Sequence, residues 1–147
     1  MKMRTTKKLP KRNNATSGKK AHNDNNYYKV GRIKMNSWAA EVLPVLDIIC
    51  YESELVHISK DHHKELAIIG MTAFDFVKYI CSNFNELRKG TGNSVLLAVN
   101  RPRVSNVAAV EICKEEKNNK DVYKIKTATL MNTRQLCLKK LLKANDH

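Results

Sequence analysis

The chain has 147 residues, one ordinary domain's worth, with 42% hydrophobic residues, enough for a core, and 6% aromatics. No apolar run nears the roughly 20 residues that cross a bilayer, and the N-terminus lacks the apolar region and small-residue cleavage site of a secretory signal. These features favour a cytoplasmic protein or one delivered into a target cell, and the formal net charge of +13 favours polyanionic partners.

The charge is uneven. Residues 1–29 hold nine Lys/Arg against the single acid Asp24, and they show almost no apolar periodicity. Residues 1–30 are therefore expected to be a basic disordered leader, and 31–147 a single folded domain. The leader's charges fit a solubilising tail slightly better than a phosphate tether.

"NSWAAEVLPVLDIICYE" (36–52) spaces Trp38, Val42, Leu46 and Ile49 for a helical face, kinked or split at Pro44. "LVHIS" (55–59) is short and β-branched, and reads as an extended entry with Val56 and Ile58 inward and His57 on the other side. "DHHKELAIIG" (61–70) reads as a short helix that Ser59 caps and Gly70 ends. "MTAFDFVKYICSNF" is the clearest helix, with Thr72 and Asp75 approximating a capping box and a broad apolar face beyond them.

The period then becomes two. "NELRKG" (85–90), "SVLLAVN" (94–100), "VAAVEICKE" (107–115) and "VYKIKTATL" (122–130) read as strands, with Tyr123, Ile125, Thr127 and Thr129 on one face of the last. "NTRQLCLKKLL" (132–142) reads as a terminal helix. The expected fold is α+β: N-terminal helices, then a small antiparallel sheet of about four strands, then a short C-terminal helix.

Three of the five histidines, His57, His62 and His63, lie within seven residues. Adjacent helical side chains point about 100° apart, so His62 and His63 suit one ion poorly, and no zinc-type spacing exists; no metal or other cofactor is expected. Cys50, Cys81, Cys113 and Cys137 are widely spaced in apolar settings, as free thiols in a reducing compartment would be. Such settings suit nucleophiles badly, and no G-x-S-x-G elbow occurs.

Acid–base chemistry on RNA remains. It needs a base for the 2′-hydroxyl, an acid for the leaving 5′-oxygen and cations at the phosphorane. Histidine serves both proton transfers near neutral pH. "ELRKGTGNS" (86–94) adds Arg88 and Lys89 ahead of a turn with Thr91 and Asn93, a candidate phosphate cradle. The plainer alternative is that the histidines form a solvated helix face and the cations a solubilising strand end.

"VHISKDHHKEL", "IGMTAFDFVKYICSNFNELRKGTGNSVLLAV", "NVAAVEI" and "VYKIKTATLMNTRQL" together resemble toxin domains of the barnase–EndoU–colicin–RelE-like (BECR) ribonucleases carried by phages and mobile elements. The resemblance covers roughly residues 36–142. It implies a small helix-plus-antiparallel-sheet fold and metal-independent cleavage of tRNA or mRNA, restrained by an acidic antitoxin or immunity protein. It places the site's roles on His57 with His62 or His63, on Arg88 or Lys89, and on Thr127 with Thr129. Taken with the residue reading, the expected catalytic set is His57, His62, His63, Arg88 and Thr127, and the expected substrate-binding set is Lys60, Lys89, Thr91, Asn93, Lys126 and Thr129. The sequence departs from the family after "TAT", where "LMN" stands in place of an expected proline and aspartate. A nucleic-acid-binding accessory protein without catalysis is the rival expectation.

Overall fold

The computed structural model describes residues 26–145; the disorder expected of the leader falls on residues outside that range, except at its end. Tyr27–Arg32 forms strand β1, so residues 27–30 belong to the folded unit. Asp47–Tyr51 forms β2, antiparallel to β1. The helix expected over 36–52 is thus replaced by a short 3-10 turn at Trp38–Glu41 and this strand. Ile48, Ile49 and Cys50 are all buried, and a strand covered on both faces carries no period for sequence reading to find.

Helix α1 (Glu52–Asp61) follows directly, then α2 (His63–Ile69) and α3 (Ala73–Asn83). The extended entry expected at 55–59 is instead the middle of α1. Leu55 and Ile58, three apart, are its buried residues, while Val56 is 54% exposed. Truncating Ile58, 1% exposed, would cost about 2–5 kcal/mol by leaving a cavity. Gly70 ends α2 at φ 69°, a left-handed conformation that favours glycine. Thr72 caps α3 by accepting from the Asp75 amide at 3.1 Å. Ala73, Phe76, Val77, Ile80 and Cys81 bury the i, i+3, i+4 face of α3.

The remaining strands are β3 (Glu86–Lys89), β4 (Val95–Val99), β5 (Val104–Lys114), β6 (Asp121–Asn132) and β7 (Leu141–Ala144), with a single-turn helix α4 (Thr133–Leu136) between the last two. The sheet has seven strands in the order β1-β2-β6-β5-β4-β3-β7, all antiparallel except the β2–β6 pair. The fold is α+β, but the expected layout is overturned. The sheet is larger than about four strands and mixed, and the three longer helices lie between β2 and β3 instead of preceding the sheet. The expected terminal helix keeps one turn; its second half is an edge strand on β3.

The helices cover one sheet face, where Tyr123, Ile125, Leu87, Leu97 and Val110 meet Ile58, Phe76 and Ile80. A smaller cluster on the other face joins Leu96, Ala98 and Val107 to Leu136 of α4. One irregularity decides how β6 presents its side chains. Ala109 pairs with Thr127 but Val110 with Ile125, so Lys126 is the extra residue of a bulge. Beyond it the alternation is inverted: Ala128 and Leu130 continue the face of Tyr123 and Ile125. Thr127 and Thr129 therefore do not share the face of Tyr123 and Ile125, as strict alternation predicts.

Candidate functional site

β2 pairs with β6 only through Ile48–Tyr123 and Ile49–Lys124, and the chain then turns into α1. From Ile125 onward, β6 has a strand neighbour on its β5 side alone. Helix α1 flanks this half-bare edge and packs against β6. The seam between them gathers part of the expected site.

His62, the residue between α1 and α2, sits in it. Its Nδ1 lies 2.8 Å from Glu65 Oε1 and 3.5 Å from Thr129 Oγ1 on β6. An imidazole whose Nδ1–H donates to a carboxylate leaves Nε2 as the acceptor. His57, one and a half turns earlier on α1, is exposed. Glu54 marks how close the two walls come. Burial pushes its carboxyl above the ordinary value, against the opposing pull of His57 on its own helix and of Lys124 and Lys126 on β6. Lys126 also lies 3.8 Å from Glu111.

His63 begins α2, exposed, with Nδ1 3.3 Å from the Lys60 carbonyl, so it is His62 that faces the sheet. Lys60 is exposed on the last turn of α1, and Thr127 is exposed opposite Ala109. Glu54 is the seam residue that reading 55–59 as extended conceals. On a helix, its i, i+3 spacing to His57 is the signal.

The other half of the expected site stays away. Arg88 is on β3, with β5 and β4 between it and β6, three strand spacings or about 14 Å. Leu87 packs under the helices, so Arg88 points to the opposite face. There it is 7% exposed and fully occupied: Nε donates to Glu86 Oε1 at 2.8 Å and Nη1 to the Lys139 carbonyl at 2.7 Å, while Nη2 lies 4.0 Å from Cys137 Sγ. The Glu86 hydrogen bond raises the Arg88 guanidinium pKa further. Arg88 holds the segment after α4 onto β3.

The supposed phosphate cradle closes on itself. Lys89 Nζ donates to the Gly90 and Gly92 carbonyls, and Ser94 Oγ to the Thr91 carbonyl at 2.6 Å. Thr91 and Asn93 are exposed in this turn, on the strand connection between β3 and β4. The expected convergence of His57, Arg88 and Thr127 around one phosphorus does not occur.

The thiols are free among the described residues: Cys50 and Cys81 are buried, Cys113 is half-buried and Cys137 exposed. Burial pushes the Cys50 thiol up and the Cys81 thiol up to about 12, which suits packing and not nucleophilic attack. No helix among the described residues is long and apolar enough to cross a membrane. No family model matches the chain, and comparison with curated proteins and with solved structures returns no match.

Proposed function

We propose that this chain is a metal-independent endoribonuclease of toxin type, cutting RNA at the seam between α1 and β6. The observation that carries this reading is the meeting of His62 and Thr129, 67 residues apart in the chain, just past the end of the helix that bears His57. His62, oriented by Glu65, takes the 2′-hydroxyl proton through Nε2. The 2′-oxygen attacks phosphorus, the P–O5′ bond breaks, and His57 protonates the leaving 5′-oxygen. The products are a 2′,3′-cyclic phosphate and a 5′-hydroxyl. Lys126 offsets charge on the phosphorane, and the Thr129 hydroxyl, which in the free protein donates to the Leu130 carbonyl at 3.0 Å, turns to donate to a non-bridging oxygen. Arg88, Lys89, Thr91 and Asn93 have no part in this scheme. The resemblance to BECR toxins supports the same reaction and adds tRNA or mRNA as substrate and an acidic antitoxin or immunity protein as partner.

A second reading is favoured by one feature: among the described residues no arginine is found at the seam, and Arg88 is bound on the other face. On that reading the chain is a nucleic-acid-binding accessory protein without catalysis. Incubating the purified chain with total RNA in EDTA separates the two. Cleavage that His62→Ala removes supports the nuclease. RNA that is bound but left intact, with affinity lost on deleting residues 1–25, which lie ahead of β1, supports the accessory protein.

A further inference from the structure

We propose that the end of the sheet where β6 meets α4 is a second, preformed binding surface for the phosphate backbone of RNA, continuous with the seam. The proposal builds on the RNA-directed reading above and assigns residues that reading does not use.

The charge there is one-sided. Residues 100–106 and 131–145 contain six Lys/Arg and no Asp or Glu. Of these, Lys143 pairs with Glu41 at 2.8 Å. Arg103, Arg134, Lys139 and Lys140 are exposed and, among the described residues, in no ion pair. Arg101 is exposed, stacks over the Tyr79 ring at 5.9 Å and bonds its hydroxyl. By contrast, Lys29, Arg32 and Lys120 surround Asp47, and Lys114 joins Asp121. Lys34, Lys60 and Lys64 are also exposed and in no ion pair among the described residues, but Lys60 and Lys64 alternate in sequence with the acids Asp61 and Glu65.

The backbone that carries these arginines is held rigidly. Arg103 has φ 69°, and the Val104 amide reaches back to the Pro102 carbonyl at 2.8 Å, a three-residue turn strained for a side-chain-bearing residue. Such a conformation costs on the order of 1–3 kcal/mol and persists only where neighbours over-determine it. Here they do. The buried Ser105 hydroxyl accepts from the Arg101 amide at 3.1 Å and lies 2.6 Å from Thr133 Oγ1. Thr133 in turn donates Oγ1–H to the Arg101 carbonyl at 2.5 Å and its amide to the Arg103 carbonyl at 2.9 Å. The backbone at Arg103 is thereby tied to Thr133, the residue before Arg134, at the base of α4. Arg88 fixes the far end of the patch by gripping the Lys139 carbonyl.

The position fits the partner. Thr129 lies three residues before Asn132, the last residue of β6, or about 10 Å along the strand. An RNA strand leaving the seam along β6 meets Arg103 and Arg134 next, and Lys139 and Lys140 beyond. Guanidinium forks match phosphate oxygens, and a clamped turn removes the ordering entropy that binding would otherwise cost.

The test uses the full chain with Arg103→Gln, Arg134→Gln and Lys140→Gln combined, checked for an unchanged circular dichroism spectrum and melting temperature. A fluorescent single-stranded RNA 12-mer is titrated at several salt concentrations. The variant should bind about tenfold or more weakly, and its log K against log salt slope should be shallower by about 2, near 0.7 per phosphate contact. Equal affinity and slope would overturn the proposal. So would an equal loss of binding to polyglutamate, because the surface would then be a generic anion site suited to an acidic protein. Should the triple variant fold poorly, Lys139→Gln with Lys140→Gln, both exposed, gives the same readout with a slope change of about 1.4. Cleavage is measured separately on a dinucleotide too short to span both surfaces. Its rate should match wild type, and absence of cleavage in both proteins would defeat the nuclease reading while leaving the binding result to stand.

Discussion

Thr129 Oγ1 on β6 lies 3.5 Å from His62 Nδ1 at the joint between α1 and α2. The pair is brought together by a strand that stops: β2 leaves β6 after Ile49, and α1 occupies the space. His62→Ala should therefore lower RNA cleavage by about 10²–10⁴-fold, the range for losing a positioned acid or base. Its effect on folding should stay within about 1 kcal/mol, because the His62–Glu65 pair is partly solvated. Cleavage assays beside urea titrations check both halves, and a loss of stability that tracks the loss of activity would contradict the assignment.

Arg88→Met should behave in the opposite way. The guanidinium side chain is 9% exposed and bound to Glu86, so removing it strands a carboxylate with 16% exposure. That should cost about 3 kcal/mol, whereas Arg88→Met with Glu86→Leu should recover most of it. Specific activity per folded molecule should be unchanged by either. A folded Arg88→Met protein that cannot cleave RNA would return Arg88 to the site.

Acid should reveal the same pair. Burial pushes the Glu86 carboxyl up, but hydrogen bonds from Arg88 and Asn100 outweigh it, and the folded value lies below the ordinary one. The charged form is thus favoured by folding. Its contribution is complete above the ordinary glutamate value of about 4.3 and is lost as pH falls through the folded value. Glu86→Gln should lower the urea midpoint at pH 7 and show a shallower decline towards pH 3 than wild type. Asp47 declines independently, since Arg32 and Lys29 lower its carboxyl in the same sense against burial.

Helix α3 and strands β5 and β6 are visible in the sequence because each buries chiefly one face and so shows its period, and β4 because "VLLAV", though covered on both faces, is a short apolar run bounded by turn residues. β2 is hidden because "DIICY" is covered on both sides, and β7 because "LLKA" takes its strand form from pairing with β3, a partner more than 50 residues earlier. The histidine cluster and the β6 threonines are found by residue type, but the bulge at Lys126 inverts the facing of Thr127 and Thr129, and no composition signals a bulge. Arg88 is misjudged for a local reason: on a strand, Glu86 two residues earlier shares its face, so "ELR" already contains the ion pair that removes it from chemistry.

The contact of β1 with α3 offers a test of the fold itself, because residues 27–30 read as leader in the sequence yet form part of β1. A Cβ added at Gly31 would stand 2.7 Å from Cys81 Cβ, closer than carbon atoms pack. Gly31→Ala must therefore push α3 off β1, and overpacking of this kind costs about 1–3 kcal/mol. Gly70→Ala is the control: φ 69° strains it by about 1 kcal/mol, but no atom lies within 4 Å of the new Cβ. The buried Cys81 thiol, pushed up to about 12 by its surroundings, reports the difference. Gly31→Ala should speed its reaction with a thiol reagent under native conditions by opening the β1–α3 contact, and Gly70→Ala should leave it slow. Equal labelling rates in the two variants would mean that β1 is not held against α3.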